Sequence, residues 1–151
     1  MIKIEQATDK DLDKLALLFD KYRVFYQKAS DIDAAKDFLR ERMKANESVV
    51  FVSFDGENVM TGFTQLYPSF SSTRMKRIWV LNDLFVDDSY RGKGISIALI
   101  DRAKDLCRQT AACELTLETA KSNEIGNNLY PQSGFVLDQD HNFYSWAEAF
   151  E

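Results

Sequence analysis

The sequence predicts an α/β domain of the α+β type, and three observations carry that reading. Strand-length apolar runs are interleaved with longer stretches in which apolar residues recur at helical spacing. Asp55-Gly56-Glu57-Asn58 is a hairpin turn between two strand-like runs. Residues 81–99, LNDLFVDDSYRGKGISIAL, read as a strand, an acidic turn, a glycine-bearing loop and the start of a helix. A chain of 151 residues can bury a real core, and it is read as one domain over residues 1–151. It shows no repeat, low-complexity tract or linker.

The elements follow in order. Ile2 and Ile4 alternate with Lys3 and Glu5 in a short first strand. Thr8, with Asp11 three residues on, predicts a helix over 9–27, with Leu12, Leu15, Ala16, Phe19 and Tyr22 on its apolar side. Phe25 and Tyr26 extend its aromatic end, and Ser30 is placed as the cap of a second helix over 31–45. Strands are predicted over 49–54 and 59–67, then a polar loop over 68–74 and a central strand over 77–86. Gly62, inside a strand, signals a bulge or a close backbone neighbour. A helix over 94–109 and a strand over 113–119 follow. A short helix begins at Asn123 and is expected to end at Tyr130, because Pro131 disfavours helical geometry in the residue before it. Residues 135–137 and 142–146 read as a closing hairpin.

Composition bounds the function. A hydrophobic content of 45% with 28% charged residues is that of a soluble globular protein. No apolar run is long enough to span a membrane, and the first residues lack the apolar segment of a leader. A net charge of −5 argues against a nucleic-acid partner and is compatible with a cationic amine. Cys107 and Cys113, in a leaderless chain, predict reduced thiols and a cytoplasmic location. Cys107 reads as a small apolar helix residue. His141, the only histidine, falls in a polar turn and reads as exposed. No cluster has metal-ligand spacing, so no metal is expected.

The glycine loop is where chemistry is expected. A loop feeding a helix N-terminus presents N–H groups that lack intrahelical partners, and these favour a phosphate. The spacing is neither that of a P-loop nor that of a dinucleotide fingerprint. Locally, a glycine turn joining a core strand to a core helix explains it as well.

Two ordered blocks go further. Arg91-Gly92-Lys93-Gly94-Ile95-Ser96 resembles the coenzyme A loop of the GNAT N-acetyltransferase superfamily, Arg/Gln-x-x-Gly-x-Gly/Ala, with Ser96 in place of the last small residue. Asn123-Glu124-x-Gly126-x-x-Leu129-Tyr130-x-x-x-Gly134-Phe135 resembles a second segment of that family. The resemblance implies a mixed, mostly antiparallel sheet of about six to seven strands flanked by about four helices. It also implies acetyl-CoA as cofactor. The pantetheine would lie along Leu84, Phe85 and Val86, and the pyrophosphate on residues 91–96. Asn123 and Tyr130 would complete the cofactor set, and Tyr130 would be the general acid.

Asp83 and Glu118 are the candidate bases, though either reads equally well as a solvated surface charge. Asn82-Asp83 resembles the Glu-Asp pair of the polyamine-acetylating branch, with an amide replacing the first carboxylate. Asn82, Asp83, Tyr22 and Tyr26 form the expected acceptor site, with core packing as the alternative for the two tyrosines. The implied function is transfer of an acetyl group to a primary amine of a small molecule. A protein-lysine acetyltransferase and a non-catalytic acyl-CoA sensor stay open. An exposed sheet edge and the aromatics Phe143, Tyr144, Trp146 and Phe150 predict a homodimer.

Overall fold

The computed structural model describes residues 1–150, which fall into two compact units divided between Glu118 and Thr119. Among the described residues, the first unit holds a five-stranded mixed sheet in the order β1-β2-β3-β4-β5. The strands are β1 (Lys3–Gln6), β2 (Val49–Phe54), β3 (Met60–Ser71), β4 (Lys76–Val86) and β5 (Glu114–Thr116). The first four are antiparallel neighbours, while β5 is parallel to β4. That parallel pairing needs a crossover, which α3 (Ile95–Gln109) supplies.

Helices α1 (Leu12–Phe25) and α2 (Ile32–Lys44) cover one face of the sheet. Leu15, Leu18, Phe19 and Leu39 pack there with Val50, Val52, Phe63 and Phe85. Helix α3 covers the other face, where Arg102 lies over the ring of Phe51 at 4.3 Å. Successive β2 residues therefore serve opposite layers, as strand alternation requires.

Several boundaries differ from the sequence expectation for local reasons. Ser30 does not cap α2: its hydroxyl donates to the buried Asp20 carboxylate at 2.7 Å, and the Asp31 N–H does the same. Asp31 is the cap, accepting from the Ala34 N–H at 3.1 Å. Residues 68–71 are strand rather than loop, because β3 and β4 keep pairing to Ser71 and Lys76. Pro68 is tolerated there because β2 stops pairing with β3 at Leu66, so the missing donor faces no strand.

Gly62 has the expected close neighbour. A Cβ at this position would lie 2.8 Å from the Phe85 carbonyl oxygen and 3.1 Å from the Ser53 hydroxyl. We expect Gly62→Ala to cost about 1–3 kcal/mol, the scale of core overpacking. Thermal melts should fall by several degrees, and an unchanged melting temperature would contradict the contact.

In the second unit, α4 runs Glu124–Gln132 and passes through Pro131 instead of ending at Tyr130. Its end is fixed by a Schellman motif: the Phe135 N–H bonds the Tyr130 carbonyl at 3.0 Å and the Gly134 N–H bonds that of Pro131 at 3.1 Å. Gly134 takes the left-handed φ of 93° that this closure needs, and the Tyr130 and Phe135 rings meet edge-on at 5.8 Å. Pro131 sits in the last turn, where one missing N–H removes a single bond. The predicted hairpin over 135–137 and 142–146 is not formed: among the described residues none after Gln132 is helical or extended in a sheet. That is why the sheet has five strands rather than six or seven.

Candidate active site

The loop after β4 is held at both ends. The Asp87 N–H donates to Thr61 O at 2.9 Å, and its carboxylate caps the short turn Asp88–Tyr90 through the Ser89 N–H. Lys21 meets the same carboxylate at 2.9 Å, and that hydrogen bond holds the Asp87 carboxyl below its ordinary range. The Tyr90 hydroxyl donates to Asp55 at 3.1 Å.

Arg91 turns back across this loop. Its Nε donates to Val86 O at 3.1 Å, Nη2 meets Asp88 at 3.0 Å, and the guanidinium lies 5.2 Å from the Phe25 ring centre. Its side chain thus braces the loop, leaving the expected phosphate contact to main-chain groups. Lys93 lies over the Tyr90 ring at 5.3 Å.

Gly92 and Gly94 take φ values of 75° and 80°, which side-chain-bearing residues rarely adopt. Among the described residues, no heavy atom comes within 4 Å of where a Cβ would stand on either. Gly94 is the N-cap of α3, whose first backbone bond runs from the Ala98 N–H to Gly94 O. The N–H groups of Ile95, Ser96 and Ile97 therefore face outward from the first turn, and no acidic residue occupies that turn. An open cradle at the positive end of a 15-residue helix fits the pyrophosphate of coenzyme A. We expect Gly94→Asp to weaken acetyl-CoA binding by about tenfold or more, through backbone strain and charge repulsion. Calorimetry on the folded variant showing unchanged affinity would contradict the assignment.

The strand before this loop has an open edge. β4 and β5 pair only over Ile78–Val80 and Glu114–Thr116. Leu84, Phe85 and Val86 are paired with Thr64, Phe63 and Gly62 of β3 on one side, with no strand on the other among the described residues. Their main-chain groups on that side are open to a ligand that pairs as a strand would.

Asp83 lies on the same face of this strand as Phe85, opposite to Leu81 because the register shifts between Gln65 and Leu66, and is only 6% exposed. It is not a surface charge. The Tyr22 hydroxyl donates to Oδ1 at 2.8 Å, and Gln65 Nε2 donates to Oδ2 at 2.9 Å. Asn82 Nδ2 reaches Oδ2 at 3.2 Å. Every donor is neutral, and among the described residues no lysine or arginine forms an ion pair with Asp83. Gln65 is fully buried, and among the described residues its Oε1 has no hydrogen-bond partner. Burial, with the Asp83 charge beside it, pushes the Tyr67 phenol up to about 12. The Tyr22 ring packs edge-on against Phe63, Phe85 and Tyr26 at 5.5, 5.7 and 5.1 Å, and Tyr26 stays half exposed.

Other expected residues are placed differently. Glu118 is exposed beyond the end of β5, and no hydrogen bond joins it to the Asp83 network among the described residues. In the second unit, the Asn123 side chain caps α4, accepting from the Gly126 N–H at 3.1 Å and donating to Thr119 at 2.8 Å. His141 is exposed and bonds Asp138 at 2.8 Å. Burial raises the Cys107 thiol, in keeping with an unreactive packing role. Gln65 and Tyr67 escape sequence reasoning, although their place on the strand before the turn into β4 is a usable signal. A cavity of about 610 Å³ lies at the opposite end of the sheet, between Ser48, Phe70, Arg77 and Trp79, away from the glycine loop. Among the described residues no helix is long and apolar enough to cross a membrane.

A sequence profile of the Acetyltransferase (GNAT) family matches residues 15–135. The chain belongs to the GNAT acetyltransferase family. It is 44% identical over 137 residues to the uncharacterized N-acetyltransferase YhfO of Bacillus subtilis, covering 91% of each chain. A crystal structure of a probable acetyltransferase superposes with a TM-score of 0.94 at 38% identity, over 99% of both chains. The aminoglycoside N-acetyltransferase AAC(6')-Iy, solved in complex with CoA, shares the fold at a TM-score of 0.81 and 20% identity, over 97% of this chain and 95% of its own.

Proposed function

We propose that this chain, acting as a single GNAT domain over its whole length, is a cytoplasmic acetyl-CoA-dependent N-acetyltransferase for the primary amine of a small cationic molecule. The observation that carries the acceptor class is the buried Asp83 carboxylate, held by neutral donors with no ion-pair partner among the described residues. An alkylammonium supplies both the missing charge and up to three N–H donors. It could satisfy the unpartnered Gln65 Oε1 as well as Asp83. A buried carboxylate without a counter-ion is costly, so a cationic ligand gains where a neutral one does not.

Acetyl-CoA, when bound, supplies the activated acetyl group. The chain's own residues do the rest. The main chain of residues 84–86 and the amides of residues 91–96 would hold the cofactor, and a backbone N–H near Val86 would polarise its carbonyl. Asp83 receives the ammonium and accepts its proton, which leaves a neutral amine able to attack. Tyr22 and Gln65 keep the carboxylate aimed, while Asn82 and Tyr26 stand at the exposed side of the same network. Tyr130 is assigned as the acid on the motif match alone. Glu118 is set behind Asp83 as a base because it is exposed.

The test compares kcat/KM for amine acceptors with that for alcohols of the same carbon skeleton. The amines should be favoured by about a hundredfold or more. Equal rates, or activity confined to lysine peptides, would reject the small-cation reading.

A further inference from the structure

We propose that the cavity at the far end of the sheet, built around Arg77, binds a small aromatic monocarboxylate. This goes beyond the acetyltransferase reading and stands without it. The cavity has a volume of about 610 Å³. That falls within the range of small-molecule sites, about 300–1,000 Å³. The first unit supplies its whole lining: the turn after β1, the C-terminal end of α2, the start of β2, the late part of β3, the early part of β4 and the residue after α3.

Arg77 supplies the charge. Its guanidinium lies 4.8 Å from the Phe70 ring centre and 5.3 Å from that of Trp79. The nearby Arg74 takes the Glu114 carboxylate at 3.2 Å, but among the described residues no ion pair or hydrogen bond engages the Arg77 side chain. A half-buried guanidinium has five N–H donors in a planar fork, and a carboxylate can meet that fork with both oxygens. Phe70 and Trp79 supply flat apolar faces. Trp79 is buried and its Nε1–H already donates to the Thr110 hydroxyl at 2.9 Å, so its ring offers area rather than a polar contact. Ser48 also lines the cavity. It is 7% exposed, and among the described residues its hydroxyl has no hydrogen-bond partner. A ligand oxygen could recover the free energy that such an unsatisfied group costs. Among the described residues Asp9 is the one acidic member of the lining. It is exposed, and it disfavours a ligand with more than one negative charge.

The cavity is separate from the acetyl-transfer site. Arg77 stands near the start of β4 and Val86 at its end. Between them the strand advances about 30 Å, at about 3.3 Å per residue. The open strand edge and the glycine loop lie at the Val86 end. Acetyl-CoA and the aromatic acid should therefore bind together, without competing.

The test titrates the isotope-labelled full chain with indole-3-acetate, indole-3-acetamide and acetate. Nuclear magnetic resonance follows the indole N–H signals of Trp79 and Trp146, which a Trp146→Phe variant tells apart. Indole-3-acetate should bind with a Kd of about 0.1–1 mM, shifting the Trp79 signal and leaving that of the exposed Trp146 in place. The neutral amide should bind at least about tenfold more weakly, because it lacks the charge. Acetate, which lacks the flat body, should not saturate in the same range. Arg77→Met should weaken indole-3-acetate by about tenfold or more, and Phe70→Ala, at a position 67% exposed, by about threefold or more. Acetyl-CoA affinity should stay unchanged in both. The comparison of acid with amide uses the wild-type protein, so it holds whether or not a variant folds. The proposal is overturned if the Trp79 signal shows no saturable shift at about ten times the expected Kd. Equal affinity for acid and amide, unchanged binding by a folded Arg77→Met protein, or displacement by saturating acetyl-CoA overturns it too.

Discussion

Replacing Asp83 by asparagine will lower kcat/KM for a cationic amine by about a hundredfold or more, with little change in acetyl-CoA affinity. The variant keeps the shape of the side chain and removes its charge and its capacity to accept a proton. It also leaves the fold a way to adjust. The Tyr22 hydroxyl can still donate to the remaining oxygen, at the position it now occupies 2.8 Å from Oδ1. Gln65 now donates with Nε2 and leaves Oε1 unpartnered, so turning its amide over gives the new NH₂ an acceptor. Asn82, whose Nδ2 reaches the same oxygen at 3.2 Å, is exposed and can turn its amide likewise, so the melting temperature should move little. The kinetic loss has two sources: weaker attraction for the ammonium, and loss of the proton acceptor, whose removal alone is worth about 10²–10⁴-fold. The first source appears in KM and the second in kcat. Near-wild-type turnover by a folded Asp83→Asn protein would mean that the amine loses its proton elsewhere.

Tyr130→Phe is expected to slow the chemical step by about a hundredfold while leaving acetyl-CoA affinity nearly unchanged. Only the hydroxyl is lost. The ring keeps its edge-on contact with Phe135, and the Schellman closure uses the main-chain carbonyl of residue 130. A proton held by a phenol and released as the thiol departs contributes in the transition state, so kcat and kcat/KM should fall together. The alkaline limb of the rate profile should shift if it reports that phenol. A Tyr130→Phe protein with full turnover, when chemistry is rate-limiting, would remove Tyr130 from the mechanism.

The parts of this molecule that obey local rules are legible in its amino-acid order. Turn chemistry at residues 55–58 and 87–89, the αL requirement at Gly92 and Gly94, and the crowding at Gly62 all follow from neighbours close in sequence or from a single strand pairing. Long-range partners decide the rest. Ser30 looks like a cap by composition, but Asp20 sits within reach and takes its hydroxyl. Asp83 reads as surface or site with equal force until the β3 register puts Gln65 opposite it and α1 brings Tyr22 across. Its parity with Phe85 is a sequence feature that places Asp83 among buried residues, whereas the register shift that turns Leu81 to the other face comes from the pairing with β3. The residue-before-proline rule stops α4 at Tyr130, but the real stop lies at Gly134, where a left-handed glycine closes the turn. The expected C-terminal hairpin rests on apolar pattern alone. Pattern states what a segment must bury, and the surface that covers it has to come from elsewhere.

The most direct measurement of the central claim is release of free coenzyme A from acetyl-CoA by the purified wild-type protein. It should be run against polyamines, amino acids, aminoglycosides, lysine peptides and a no-acceptor control, with mass spectrometry of each product. The expected result is rapid release with at least one small cationic amine and a single acetyl group on its primary nitrogen. Acetyl-CoA binding without acceptor-dependent release across the whole panel would contradict it, and would leave a protein that holds the cofactor without using it.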